Sequence, residues 1–303
     1  MADQLDKDQI AEWFKGLQDS ICESLEYLDG KAKFREDPWV RKEGGGGRTR
    51  VISGGNIFEK GGVNFSEVHG PTPDKILKSL KLDKADFFAT GVSIVIHPQS
   101  PMVPIIHMNV RYFEMTDGTW WFGGGIDLTP HYVLKEDARF FHHKLKTTCD
   151  KHHPSYYEDF KKWADDYFFI KHRNETRGVG GIFFDRLSDQ NEFDKPQRFS
   201  FVKDVGETFI PAYKEIVKKN RDMVYAPAQT EWQRVRRGRY VEFNLVYDKG
   251  TKFGLDTDGR TESILMSLPP QANWHYNHQP EEGSEEWNTK QLLRKGIDWI
   301  NIS

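Results

Sequence analysis

Along the first thirty residues, Ile10, Phe14, Leu17, Ile21, Leu25 and Leu28 recur three or four positions apart, and the pattern stops at Gly30. That spacing predicts one amphipathic helix ended by a glycine at its C-terminal cap. Between 43 and 62 the chain is punctuated by GGGGRTRVISGG, with Phe58, Val63 and Phe65 close by. Short strands between turns are expected there, with a mobile loop, and so a lid, around Gly44 to Gly47. Three strands then follow, over 91–98, 105–115 and 119–128. Their connections are too short for a helical crossover, so they form an antiparallel meander.

Period-two alternation sorts these strands into faces. His107, Asn109 and Arg111 share one side, opposite Ile106, Met108, Val110 and Tyr112; Ser93, Val95 and His97 lie opposite Val92, Ile94 and Ile96. After Pro130 the period lengthens, predicting helices over 136–149, 155–172 and 199–220. A strand is expected over 177–187. Two more, over 239–247 and 261–268, read as a hairpin-like pair across the turn-rich DKGTKFGLDTDG. A last helix over 285–300 closes the chain. No internal repeat, biased segment or proline-rich linker divides it, so 1–303 reads as a single α+β domain.

Charge and composition narrow the function classes. The 43 Lys and Arg against 46 Asp and Glu give a net charge of −3, without the basic field that nucleic acid attracts. No apolar run approaches the ~18 residues of a membrane span, and the opening MADQLDKDQIAEW lacks a signal-peptide pattern, so a cytoplasmic chain is expected. Only Cys22 and Cys149 occur, which removes disulfide scaffolds and cysteine zinc sites. There is no GxGxxG after a strand, no GxxxxGK[ST] and no GxSxG.

Several groupings carry candidate chemistry. If the two polar strand faces adjoin, they gather imidazoles, a guanidinium, an amide and a hydroxyl, although a solvated outer face would look the same. Asp127 stands just beyond three glycines, with Ile126 between, where a ligand can approach the backbone, or where a bulge merely leads to a helix cap. That placement puts it outside the core. Arg177 and the cluster Arg234, Arg236, Arg237 and Arg239, with Arg260 beyond it, suit carboxylate recognition or helix-end charge complementation.

Taken together, GGGGRTRVI, GVNFSEVHG, GVSIVIHP, HMNVRYFEM, WWFGGGIDLTP, KHRNETRGVGGIFFDRL, RRGRYVEFNLVYDKGTKFGL and GRTESILMSLPP resemble the oxygen-dependent coproporphyrinogen III oxidase family over nearly the whole chain. The resemblance implies a large antiparallel sheet flanked by helices on both faces and a homodimer formed through about 240–275. It implies oxidative decarboxylation of two propionates of coproporphyrinogen III to vinyls, with dioxygen as co-substrate and no required cofactor. Carried across by position, Ser93, Asn109, Val110, Arg111, Asp258, Gly259 and Arg260 bind substrate; His107 is the proton donor, Asp127 holds the pyrrole N–H groups, and Arg177 is needed for activity. His97, His107, His142 and His172 match positions that ligate metal in some relatives, whereas others are metal-free. A histidine-based metal oxidase and a tetrapyrrole carrier without catalysis are the alternatives.

Overall fold

The computed structural model describes residues 5–72, 85–189, 193–256 and 259–303. Helix α1 (Lys7–Asp29) starts at Asp6, whose side chain and that of Gln9 each accept the other's backbone N–H, and ends at Gly30 in the left-handed region (φ 74°). Its expected stripe is buried against the sheet.

Seven strands form one antiparallel sheet in the order β1-β2-β3-β4-β5-β6-β9. They are β1 (Arg35–Val40), β2 (Gly45–Ser53), β3 (Phe58–Pro71), β4 (Asp86–Pro98), β5 (Ile105–Met115), β6 (Trp120–Thr129) and β9 (Gly180–Leu187). Six of them are a sequential meander, as the short connections require for β4, β5 and β6, and β9 returns beside β6. The strands β7 (Phe169–Ile170) and β8 (Glu175–Thr176) form a separate short pair.

The alternation predicted from sequence decides the layers. Val92, Ile94, Ile96, Met108, Val110, Phe122, Ile126, Ile182 and Phe184 face the main core, together with α1, α2 (Lys135–Asp150) and α4 (Lys195–Asn220). Helix α3 (Tyr156–Tyr167) straddles the β9 edge: Phe160 meets Phe184 on the core face, while Tyr167 stacks on Phe183 on the other. Covering an edge strand in this way removes a site of strand-to-strand aggregation. The opposite face is covered by α5 (Pro227–Val246), α6 (Lys249–Asp256) and α7 (Thr261–Leu265). The chain ends beyond α8 (Glu285–Leu292), where Trp299 stacks on His142 of α2.

Three expectations need correction. The proposed strands over 239–247 and 261–268 are helical. The aromatic and β-branched residues of RYVEFNLVY look strand-like alone, but they finish a helix begun at Pro227, whose buried Trp232, Val235, Arg236, Tyr240 and Phe243 keep a three-to-four spacing. Gly45 to Gly47 form no lid loop; they pair with Val68, Glu67 and Ser66 as the start of β2. Gly44 (φ 129°) and Gly45 (φ 80°) supply the tight β1–β2 turn, closed by the Arg41 N–H on the Gly45 carbonyl. The last helix stops at Leu292, short of the expected 300.

Candidate active site

The sheet registers place the polar residues in adjoining rows. One runs Asp37–Thr49–Asn64–Ser93–Asn109–Gly125–Phe183 across the seven strands; the next includes Val95, His107, Asp127 and Gly181. On the other side lie Trp39, Gly47, Ser66, Gly91, Arg111 and Gly123. From Thr49 to Asn109 is three strand spacings, about 14 Å. Ser263 of α7 covers Thr49 and Asn64 at one end of this row, and the half-buried Ser93, His107, Asn109 and Arg111 leave a shallow trough beside it. At Gly123 a Cβ would lie 2.5 Å from Asp185 Oδ1 and 3.0 Å from the Arg111 guanidinium, so the Arg111–Asp185 pair sits directly over this glycine.

At one end of the trough His107 Nδ1 lies 2.8 Å from Asp127 Oδ1. Asp127 is 1% exposed and its two oxygens face Arg177 Nη2 at 2.8 and 2.9 Å. Arg177, 3% exposed, also donates to Asn244 Oδ1 at 3.0 Å and sits against the rings of Phe168, Tyr240 and Phe243, 4.4–4.8 Å from their centroids. Burial alone would raise the Asp127 carboxyl; the Arg177 charge and the His107 hydrogen bond outweigh it and hold the group below its usual value. Burial likewise opposes the charged guanidinium, and the Asp127 charge outweighs it, so Arg177 is raised. Asp127 thus belongs to the interior, contrary to the expectation from its glycine neighbours. Arg177 is committed to Asp127 and does not face the trough as a free carboxylate site. His107, with 22% of its side chain exposed, is the member of the relay that reaches the open face.

The remaining expected residues divide. Ser93, Asn109 and Arg111 line the trough, and Arg111 donates to Asn109 Oδ1 and to Asp185 Oδ1, each at 2.8 Å. Val110 points into the opposite core, leaving only its backbone for a ligand. Arg260 reaches the same polar face from before α7, pairing with Asp37 at 2.5 Å and approaching Ser263 Oγ at 3.2 Å. Gly259 donates its N–H to the Gly254 carbonyl. Asp258 lies outside the described residues.

The four histidines matched to metal ligands do not assemble. His97 is buried, with Nε2 2.8 Å from the Ser267 carbonyl oxygen. His142 lies in the helical layer with both nitrogens engaged, by Tyr157 Oη and the Val179 carbonyl. His172 is at the surface between Tyr247 and Glu242. Among the described residues no group of three or more His, Cys, Asp or Glu could hold a metal ion, so this set does not fit one site. Burial lowers both His97 and His142 to about 3.

Sequence reasoning missed Asp185, Asn244 and the ring box around Arg177. Asp185 was legible, since Gly181, Phe183 and Asp185 continue the period-two pattern after the glycine pair. Asn244, Tyr240 and Phe243 were hidden by reading α5 as a strand.

The site thus joins a part-exposed imidazole to a buried carboxylate–guanidinium pair boxed by aromatic rings, beside an arginine, an amide and a hydroxyl on the same face. Residues 9–299 match the family model described as Coproporphyrinogen III oxidase. The chain is 49% identical over 302 residues to "Coproporphyrinogen-III oxidase 1, chloroplastic" of Arabidopsis thaliana, covering 94% of this chain and 77% of that one. It is 49% identical over 309 residues to the "Oxygen-dependent coproporphyrinogen-III oxidase" of Synechococcus sp. (94% and 85%). With the mitochondrial protein of that name from Rattus norvegicus it shares 52% over 298 residues (94% and 67%). The chain belongs to the coproporphyrinogen III oxidase family.

Proposed function

We propose that this chain performs the oxygen-dependent oxidative decarboxylation of two propionates of coproporphyrinogen III, giving protoporphyrinogen IX and carbon dioxide in haem biosynthesis. The observation that carries the site assignment is the 2.8 Å contact between His107 and Asp127 on top of the buried Arg177. With its Nδ1 proton held by Asp127, His107 presents Nε2 to the trough, fixed in one tautomer as in other carboxylate–imidazole pairs. Each propionate loses its carboxyl group as carbon dioxide by cleavage of the bond to that carbon, and gives up one proton and two electrons to leave a vinyl group, the electrons passing to dioxygen. His107 moves the proton at Nε2. Asp127 orients the ring and Arg177 keeps Asp127 charged. Arg111 and Arg260 bind propionates at the rim, Ser93 and Asn109 supply neutral hydrogen bonds beside them, and the glycines leave space for the macrocycle. No step needs a metal.

The same reading makes the protein a cytoplasmic homodimer. Leu245, Val246, Leu255 and Trp274, within or just beside the helices of 240–275, are exposed large apolar side chains and support an interface there. No helix among the described residues is long and apolar enough to cross a membrane.

Carbon dioxide release from coproporphyrinogen, measured with and without oxygen and with and without a chelator, tests the activity. Release that needs oxygen and survives exhaustive chelation is expected. Binding without release would identify a carrier, and turnover lost on chelation but regained with metal would identify a metal oxidase.

A further inference from the structure

Arg111 and Arg260 share a feature that propionate binding by itself does not require: each already holds a carboxylate from this chain. Arg260 pairs with Asp37 across from β1, and Arg111 pairs with Asp185 from β9. The second pair is built differently from the Arg177–Asp127 pair. Its side chains are 38% and 32% exposed, against 2% and 1% for the buried one, so it lies open in the trough. Asp185 takes only the Nη2 arm, while Nη1 is spent on the neutral Asn109 oxygen. Strand β6 offers the bare backbone of Gly123 beneath, leaving the guanidinium approachable. The β9 strand is irregular at this point too: its register against β6 shifts between Phe122 and Gly124, and Arg186, next to Asp185, has φ 54°.

We propose that Asp185 is an internal competitor for the Arg111 guanidinium, holding it until a ligand carboxylate displaces it and reclaiming it once that carboxylate has gone. This rests on the reading of Arg111 as a propionate site. A propionate can use both arms of the planar fork, whereas Asp185 uses one, so exchange favours the substrate while it carries its carboxyl group. After loss of that group as carbon dioxide the guanidinium would stand without a counter-charge, and Asp185 supplies one from within the protein. The residue weakens substrate binding and pairs the guanidinium again once the ligand carboxylate has gone. It is a positioning residue acting through Arg111, with no bond made or broken by Asp185 itself.

The test is calorimetric titration of coproporphyrinogen without oxygen, where it binds but does not react, alongside steady-state turnover in air. In Asp185→Asn, which keeps the shape and removes the charge, the dissociation constant should fall about 3- to 5-fold, as expected for removing one partly exposed ion-pair competitor. KM should fall with it while kcat stays close to the wild-type value, because a ring that has lost that carboxyl offers Arg111 nothing to hold. Asp185→Glu keeps a competitor and should behave like the wild type, and the gain should vanish in an Arg111→Gln background. Binding that is unchanged or weaker in Asp185→Asn, or a gain that persists without Arg111, would overturn the proposal. Failure of the functional reading looks different: the wild-type protein itself would neither bind the tetrapropionate ring nor release carbon dioxide.

Discussion

Asp127→Asn is the most informative single substitution, because it keeps the shape of the side chain and removes one charge from a relay of three. Asp127 and Arg177 are both buried and meet at 2.8 and 2.9 Å. Taking the charge from one partner leaves a guanidinium in the interior with Asn244, a neutral amide and three ring faces. Breaking a buried pair in this way costs about 3–5 kcal/mol. The ring contacts are the same before and after the substitution, so they do not offset this loss of about 3–5 kcal/mol. Urea unfolding measures it directly. Turnover falls as well, because His107 loses the anionic acceptor that fixes its tautomer, an amide being able to offer its ring an N–H donor instead: about 2–4 kcal/mol of transition-state stabilisation, or roughly 30- to 1000-fold in kcat/KM. The double variant Asp127→Asn, Arg177→Met separates the effects, since removing both charges should recover stability but not activity. The pair also predicts acid behaviour. With Asp127 held below its ordinary value, the contribution is full above the unfolded value near pH 4 and disappears as the pH falls through the folded one. A loss of stability under about 1 kcal/mol would refute the buried-pair argument, and near-normal kcat/KM would refute the relay.

Other expectations follow from the same geometry. Arg111→Lys keeps the charge but not the planar fork that reaches Asn109 and Asp185 together, so KM should rise about tenfold; an unchanged preference between substrates with four and with fewer carboxylates would argue against a propionate contact. His97 and His142, held near 3 by burial, stay neutral in the folded chain while the unfolded chain protonates below about 6.5. Stability should therefore fall as the pH drops from 6.5 toward 3, by up to about 1.4 kcal/mol per pH unit for each, and His142→Gln should flatten the dependence of the urea midpoint on pH. Leu245→Asp with Val246→Asp charges two exposed apolar positions at the end of α5. Light scattering should then report monomer, and a fully dimeric variant would place the interface elsewhere.

Local pattern was enough for the central strands of the sheet and their two faces, though not for β1 or the full length of β3. Alternation is a property of each strand taken singly, so position along β5 already separates His107, Asn109 and Arg111 from Met108 and Val110, and short connections required an antiparallel meander. The first helix and its glycine stop were equally local. Helix α5 was misread because the aromatic and β-branched residues of RYVEFNLVY satisfy either period; only packing of Tyr240 against His97 and of Phe243 against Phe168 settles which one is used. Burial was beyond local reading too. Glycines before Asp127 suggested an open approach, yet Arg177, fifty residues later, closes over the carboxylate from a segment beyond two helices. The metal question turned on the same thing: four histidines have no fixed separation until the sheet and helical layers place them, and those layers keep His142 apart from His107. Side-chain chemistry and local period are written in the chain, but which charges meet, and which are shut away from water, depends on contacts between segments far apart in sequence.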